Sequence, residues 1–183
     1  MPNTLKMGFK LLLITVIATF ALALTQMITE EPIKVRAEKA SNEARTAVLS
    51  SADEFIELEV DEEAYPNVIR AFKGLADGNL EGYVFQVSNR GYGGNLEVLV
   101  GFNNEGTLSG LRVISHKETP GLGAKVQDSH YCEQYKGLPV DEEISSNEIN
   151  VISGATVSSN AVTSAVNHAI DFYQAELKGG SDS

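Results

Sequence analysis

Between Leu11 and Leu24 the chain reads LLLITVIATFALAL, an uncharged run whose only polar members are Thr15 and Thr19. Both threonines can return their hydroxyls to carbonyls one turn back, so a helix tolerates them. Counted from Met7 to Ile28 the stretch is 22 residues long, roughly 33 Å of helix at about 1.5 Å per residue. That length crosses about 30 Å of hydrocarbon, with the Lys10 ammonium reaching back to the interface. A segment of this kind either spans a bilayer or is removed. Removal has support in the basic start at Lys6 and Lys10 and in Ala21-Leu22-Ala23, which resembles a small-residue cleavage site. Against it, apolar character persists through Leu24, Met27 and Ile28, and helix-forming residues follow directly from Glu30 to Ser50. A retained span is the expectation. Its direction is not legible from charge, because Lys6 and Lys10 on one side are matched by Lys34, Arg36, Lys39 and Arg45 on the other.

The total of 183 residues leaves room for one soluble domain beyond this anchor. A formal net charge of −11, with no basic stripe, argues against nucleic acid as a partner. Cys132 is the only cysteine, so there is no internal disulfide and no thiolate cluster for zinc or iron–sulfur. It reads as a small, partly buried residue beside Tyr131. His116, His130 and His168 lie far apart and lack metal-ligand spacing. Neither a P-loop, nor GxGxxG after a strand, nor the GxSxG of a hydrolase elbow occurs.

Ile33 to Leu49 is rich in helix formers on a mixed face and is expected to pack weakly or lie near a membrane. Phe55 to Val60 alternates as a half-buried strand does, and Ala64 to Leu75 reads as a short helix or loop. The centre is β. Tyr83 to Ser88 is a strand pattern, followed by a glycine-rich connection, Asn89 to Gly94. Leu96 to Phe102 and Leu108 to Ser115 form a hairpin signal through Asn103-Asn104-Glu105-Gly106. Pro120 and Gly121 predict a tight turn, and Ser129 to Tyr135 a short helix. Asn150-Val151-Ile152 reads as a brief strand leading to a final helix with Val162, Val166, Ala169, Ile170, Tyr173 and Leu177 on one face, stopped by Gly179-Gly180. The fold class is α+β: an N-terminal transmembrane helix, then a small antiparallel sheet with helices packed on it.

Chemistry is concentrated in Ile152-Ser153-Gly154-Ala155-Thr156-Val157-Ser158-Ser159, just ahead of that helix. A helix start presents unpaired N–H groups and the positive end of the macrodipole, where a phosphate is held well. The plain alternative is that Thr156 or Ser158 caps the helix. Two glycine-bearing loops accompany it, Gly91-Tyr92-Gly93-Gly94 and Glu118-Thr119-Pro120-Gly121-Leu122-Gly123. Each by itself is a turn. Together with a hydroxyl-rich helix start they are the parts of a flavin mononucleotide site, with the phosphate at the helix and the ring against loop backbone.

With these motifs in place, the chain resembles the G subunit of the Rnf-type ion-translocating ferredoxin:NAD oxidoreductase complexes. It is similar, more distantly, to the C subunit of sodium-pumping NADH:quinone oxidoreductases. The resemblance rests on the single N-terminal span, Gly82-Tyr83-Val84-Phe85, Gly91-Tyr92-Gly93-Gly94, Val98-Leu99-Val100-Gly101, the His116 to Gly123 loop and Ser153-Gly154-Ala155-Thr156. It implies FMN esterified through its phosphate to Thr156 by a dedicated flavin transferase. The remaining contacts would come from Ser153, Gly154, Ala155, Val157, Ser158, Tyr92 and Glu118 to Gly123. An acidic residue usual in the family six positions before the threonine is here Asn150. The resemblance further implies residues 1–30 as anchor, 31–52 as a juxtamembrane helix, 53–178 as the FMN-binding domain and 179–183 as a flexible tail. It puts the domain on the outer face of the cell membrane, in contact with lipid and with multi-span flavin and iron–sulfur subunits. Ferredoxin:NAD electron transfer would then be coupled to Na+ or H+ movement. Two other classes compete: a membrane-anchored FMN-binding sensor or regulator, and a secreted hydrolase using Ser158 or Ser159.

Overall fold

The computed structural model describes residues 3–145 and 147–178, with backbone alone for 3–5, 23 and 25–37. It divides into two compact units, Met1–Ser41 and Asn42–Ser183. A single helix, α1 (Asn3–Val48), carries the apolar run of the first unit. There Thr15 Oγ1 donates to the Leu11 carbonyl at 2.6 Å, one turn back. Among the described residues no helix is long and apolar enough to cross a membrane. The expected span from Met7 to Ile28 runs on into side chains that lie outside the description.

The second unit is built on five antiparallel strands that neighbour one another in chain order. They are β1 (Glu54–Leu58), β2 (Val68–Ala76), β3 (Asn79–Arg90), β4 (Asn95–Asn103) and β5 (Leu108–Ser115). The β4–β5 hairpin turns at Gly106 (φ 77°), as its sequence predicts. The stretch from Ala64 to Leu75 corrects the sequence reading, because most of it is β2. Arg70, Lys73 and Gly74 break its alternation, yet β2 pairs along its length with β3 and, over Ala71 to Leu75, with β1 as well. Its cations are held at the surface; Arg70 Nε and an Nη bind the two Glu57 oxygens across the strand at 2.6 and 2.7 Å. That bidentate guanidinium draws the Glu57 carboxyl below its ordinary value.

Each face of the sheet buries different residues, as period-two side-chain alternation requires. On one face Phe85, Val98, Val100 and Phe102 pack against α3 (Thr156–Phe172) through Val162, Val166, Ala169 and Ile170. On the other, Phe72, Val84 and Leu99 receive Val48, Leu49 and Ala52. The expected weak packing of Ile33 to Leu49 is therefore overturned at its C-terminal end, where Val48 and Leu49 are fully buried. Gly101 and Gly110 permit this approach. A Cβ on Gly101 would run into the Val48 carbonyl, and one on Gly110 would stand 2.9 Å from the Val48 Cα. Ser109 Oγ donates to that same carbonyl at 2.6 Å, satisfying one of the last free acceptors of α1. Gly101→Val is expected to cost about 1–3 kcal/mol through this overpacking, read as a lowered urea midpoint; an unchanged midpoint would show that the end of α1 does not rest on the sheet.

Beneath β5 the chain makes a 3-10 turn (Gly123–Gln127), α2 (Ser129–Cys132) and a second 3-10 turn (Glu133–Tyr135). Tyr135 is fully buried, its hydroxyl 2.8 Å from Thr163 Oγ1 on α3 and 3.2 Å from the Tyr131 hydroxyl. Burial pushes the Tyr135 phenol well above its ordinary range, so it stays protonated. Cys132 is buried beside Tyr131, as its composition suggests, and burial raises its thiol as well. The brief strand expected at Asn150-Val151-Ile152 does not form. Asn150 N–H donates to Gln134 Oε1 at 2.8 Å and Ile152 N–H to Ser159 Oγ at 3.0 Å, so side chains take the place of a ladder. The final helix continues from α3 through one π turn, Tyr173–Leu177. The stop expected at Gly179-Gly180 and the tail lie outside the described residues.

Candidate functional site

Three segments of the second unit meet at one end of α3: the 91–94 turn between β3 and β4, the loop after β5, and the helix start itself. In the loop, Leu122 N–H donates to the Thr119 carbonyl at 3.2 Å while Gly121 sits at φ 79°. This is the tight turn expected of a Pro-Gly pair, with proline presetting one dihedral and glycine supplying the left-handed one. The turn returns the chain so that Gly123 lies under Ser158; a Cβ there would stand 2.6 Å from both Ser158 Oγ and Glu118 Oε2.

Ala155 occupies the N-cap of α3 and makes no side-chain cap bond. The first intrahelical bond runs from Ser159 N–H to the Ala155 carbonyl at 3.0 Å. Helix geometry therefore leaves the amides of Thr156, Val157 and Ser158 without an intrahelical acceptor. The capping role open to Thr156 or Ser158 is taken by neither. Ser158 Oγ instead donates to Glu118 Oε2 at 2.6 Å, and Thr156 is exposed. Gly154, at φ 79°, turns the chain onto the helix, where Ala155 N–H donates to the Ile152 carbonyl at 2.9 Å.

These segments enclose a cavity of about 560 Å³, within the usual size of a small-molecule site. Its lining is Tyr92, Glu118, Thr119, Leu122, Gly123, Gly154, Ala155, Thr156, Val157 and Ser158. Every one was singled out from the sequence. Ser153, Pro120 and Gly121 were singled out too, but they are exposed and do not line it. Tyr92, Val157 and Leu122 are 75%, 54% and 47% exposed, which leaves apolar side chains at the opening. The arrangement offers an anion the uncapped helix terminus and offers a flat apolar group the surfaces of these side chains.

Ser158 and Ser159 are only 1% and 0% exposed. Ser158 is spent on Glu118, and Ser159 Oγ accepts the Ile152 N–H. His116 and His168 are engaged with Gln127 and Asn67. The nucleophilic-serine reading thus lacks an accessible hydroxyl. What the sequence did not disclose is the burial of Glu118, 5% exposed inside a glycine-rich loop. A second cavity, of about 340 Å³ between Lys125, His130, Gln134 and Asn150 to Ile152, was equally unforeseen.

Residues 91–171 match the FMN-binding domain family, a span that contains the turn, the loop and all but the last residue of α3. The chain is 33% identical to the G subunit of the Na+-translocating ferredoxin:NAD+ oxidoreductase complex of Acetobacterium woodii, over 92% of this chain and 91% of that one. It is 34% identical to the G subunit of the ion-translocating oxidoreductase complex of Methanosarcina acetivorans, over 91% and 92%. Its fold is shared with the crystal structure of the C subunit of Na+-translocating NADH-quinone reductase from Parabacteroides distasonis, with a TM-score of 0.50 and 19% identity over 75% of this chain and 96% of that one. The chain belongs to the G-subunit family of the Rnf-type ion-translocating ferredoxin:NAD+ oxidoreductases, and is an oxidoreductase subunit with an FMN-binding domain.

Proposed function

We propose that this chain is the flavin-bearing electron-transfer subunit of such a complex, with FMN joined through its phosphate to Thr156 Oγ1. One observation carries the reading. Thr156 is an exposed hydroxyl on the first turn of a helix whose N-terminus is uncapped and opens on a cavity of ligand size. The residues fit the group: amides of Thr156 to Ser158 suit a phosphate, and Tyr92, Leu122 and Val157 suit an aromatic ring system. FMN exchanges one or two electrons, which lets it stand between carriers of different stoichiometry. The chain's own residues bind it, limit its access to water and set the charge around it. A flavin transferase would form the ester, and the tether would keep the cofactor from being lost outside the cell. The test is the mass of the peptide containing Thr156 from protein produced with its transferase. An added FMN phosphoester is expected; an unmodified peptide overturns the reading.

The same proposal includes a retained span over Met7 to Ile28, the soluble domain on the outer face, and contacts with lipid and with multi-span flavin and iron–sulfur subunits. Its support is the apolar run itself and the side chains of Leu11, Ile14, Ile17 and Phe20, which stand exposed around α1. Protease added to right-side-out vesicles is expected to digest the chain from about Glu30 onward, and sequencing of the mature N-terminus to show it uncleaved. Cleavage after Ala23 removes the anchor, and a protected domain reverses the topology.

A further inference from the structure

Among the residues lining the cavity Glu118 is the only acidic one, and it is 5% exposed. Burying a carboxylate is costly unless donors meet it. Here its two oxygens are divided between separate elements. Oε1 accepts the Gly93 N–H at 3.2 Å, at the tip of the turn that carries Tyr92. Oε2 accepts the Ser158 hydroxyl at 2.6 Å, on the first turn of α3. The base of its loop is held as well: Glu118 N–H donates to His116 Nδ1 at 3.2 Å, and His116 Nε2 lies 3.1 Å from Gln127 Oε1. A Cβ on Gly91 would strike Oε1, so the neighbouring turn is kept bare around the carboxylate.

We infer that Glu118 is a positioning residue for the flavin, an inference that rests on FMN being carried at Thr156. A serine in the first turn of a helix ordinarily bonds to local backbone. By taking the Ser158 hydroxyl, Glu118 leaves the helix-terminal amides to the phosphate. By taking the Gly93 amide, it fixes the Tyr92 turn against the same helix. Its negative charge, buried at low dielectric beside the cavity, opposes the arrival of electrons there and holds the flavin at a lower reduction potential. Gln at this position matches the size but lacks the charge and the second acceptor.

The test uses full-length wild type, Glu118→Gln, Glu118→Ala and Ser158→Ala, each made with and without flavin transferase. In flavin-free protein, amide exchange at 91–94 and at 156–159 is expected to rise about tenfold or more in Glu118→Ala, the scale of one lost charge-assisted bond. Ser158→Ala is expected to raise it at 156–159 alone. In loaded protein the midpoint potential, measured per attached flavin, is expected to move to more positive values in Glu118→Gln. Wild-type exchange in Glu118→Ala, or in Ser158→Ala should Glu118→Ala not fold, overturns the clamp. A wild-type potential in Glu118→Gln overturns the electrostatic role. Absence of flavin from wild-type protein fails the functional reading instead, and the exchange arm still decides the clamp.

Discussion

In Thr156→Ala protein, the flavin fluorescence that survives denaturation is expected to disappear completely while the fold is kept. Four hydroxyls lie between residues 153 and 159, and the structure separates them. Ser158 and Ser159 are buried and hydrogen-bonded within the domain. Ser153 is exposed but does not line the cavity. Thr156 alone is both exposed and part of the lining. Its hydroxyl makes no cap bond, so its removal is expected to change stability by no more than about 0.5 kcal/mol, as for an ordinary surface substitution. Ser153→Ala serves as the matched control and is expected to keep the fluorescent band in a denaturing gel under ultraviolet light. A fluorescent Thr156→Ala band would move the acceptor elsewhere and sink the assignment.

Phe85→Ala is expected to be the most destabilising single truncation in the sheet, at about 3–5 kcal/mol. Phe85 is fully buried in the middle of β3. Its ring lies 5.0 Å from Phe102, 5.8 Å from Phe172 and 6.5 Å from Tyr173, which ties two strands to the end of the last helix. Truncation loses the transfer free energy of the ring and leaves a cavity whose walls belong to different elements and cannot close together. Since a domain of ordinary stability holds only about 5–15 kcal/mol, this is a large share. Urea unfolding of Phe85→Ala and Phe85→Leu measures it, with the leucine variant expected to fall between alanine and wild type. Equal midpoints for all three would show that the aromatic cluster does not hold α3 on the sheet.

Local signals and structure agree where the chemistry is local. Leu96 to Phe102, the Asn103 to Gly106 turn and Leu108 to Ser115 are where the hairpin forms, because alternation and a left-handed glycine are properties of the stretch itself. The Pro120-Gly121 turn and the start of α3 after Ser153-Gly154-Ala155 are of the same kind, although that the helix start is uncapped is known only from the structure. β2 was missed because Arg70, Lys73 and Gly74 are strand residues only when flanked by β1 and β3; the ladder on both sides outweighs propensity. The converse holds at Asn150 to Ile152, where the Gln134 and Ser159 side chains accept the backbone N–H groups that a strand would give to a ladder.

Read in order, the residues were enough to establish the β-rich centre, the apolar N-terminal run, and the two loops and helix start that supply every residue lining the cavity. That these loops meet, and how, followed from packing alone. The role of Gly101 and Gly110 comes from Val48 resting on them. Glu118 reads as a contact of the cofactor, and only the packed structure shows it buried, with the Gly93 amide and the Ser158 hydroxyl, 25 and 40 positions away, closing on its two oxygens. The difference is one of range. Backbone dihedral preferences and side-chain alternation act over a few residues and can be read along the chain. Burial and the pairing of a buried charge depend on which distant segments the packed sheet brings within about 3 Å of one another.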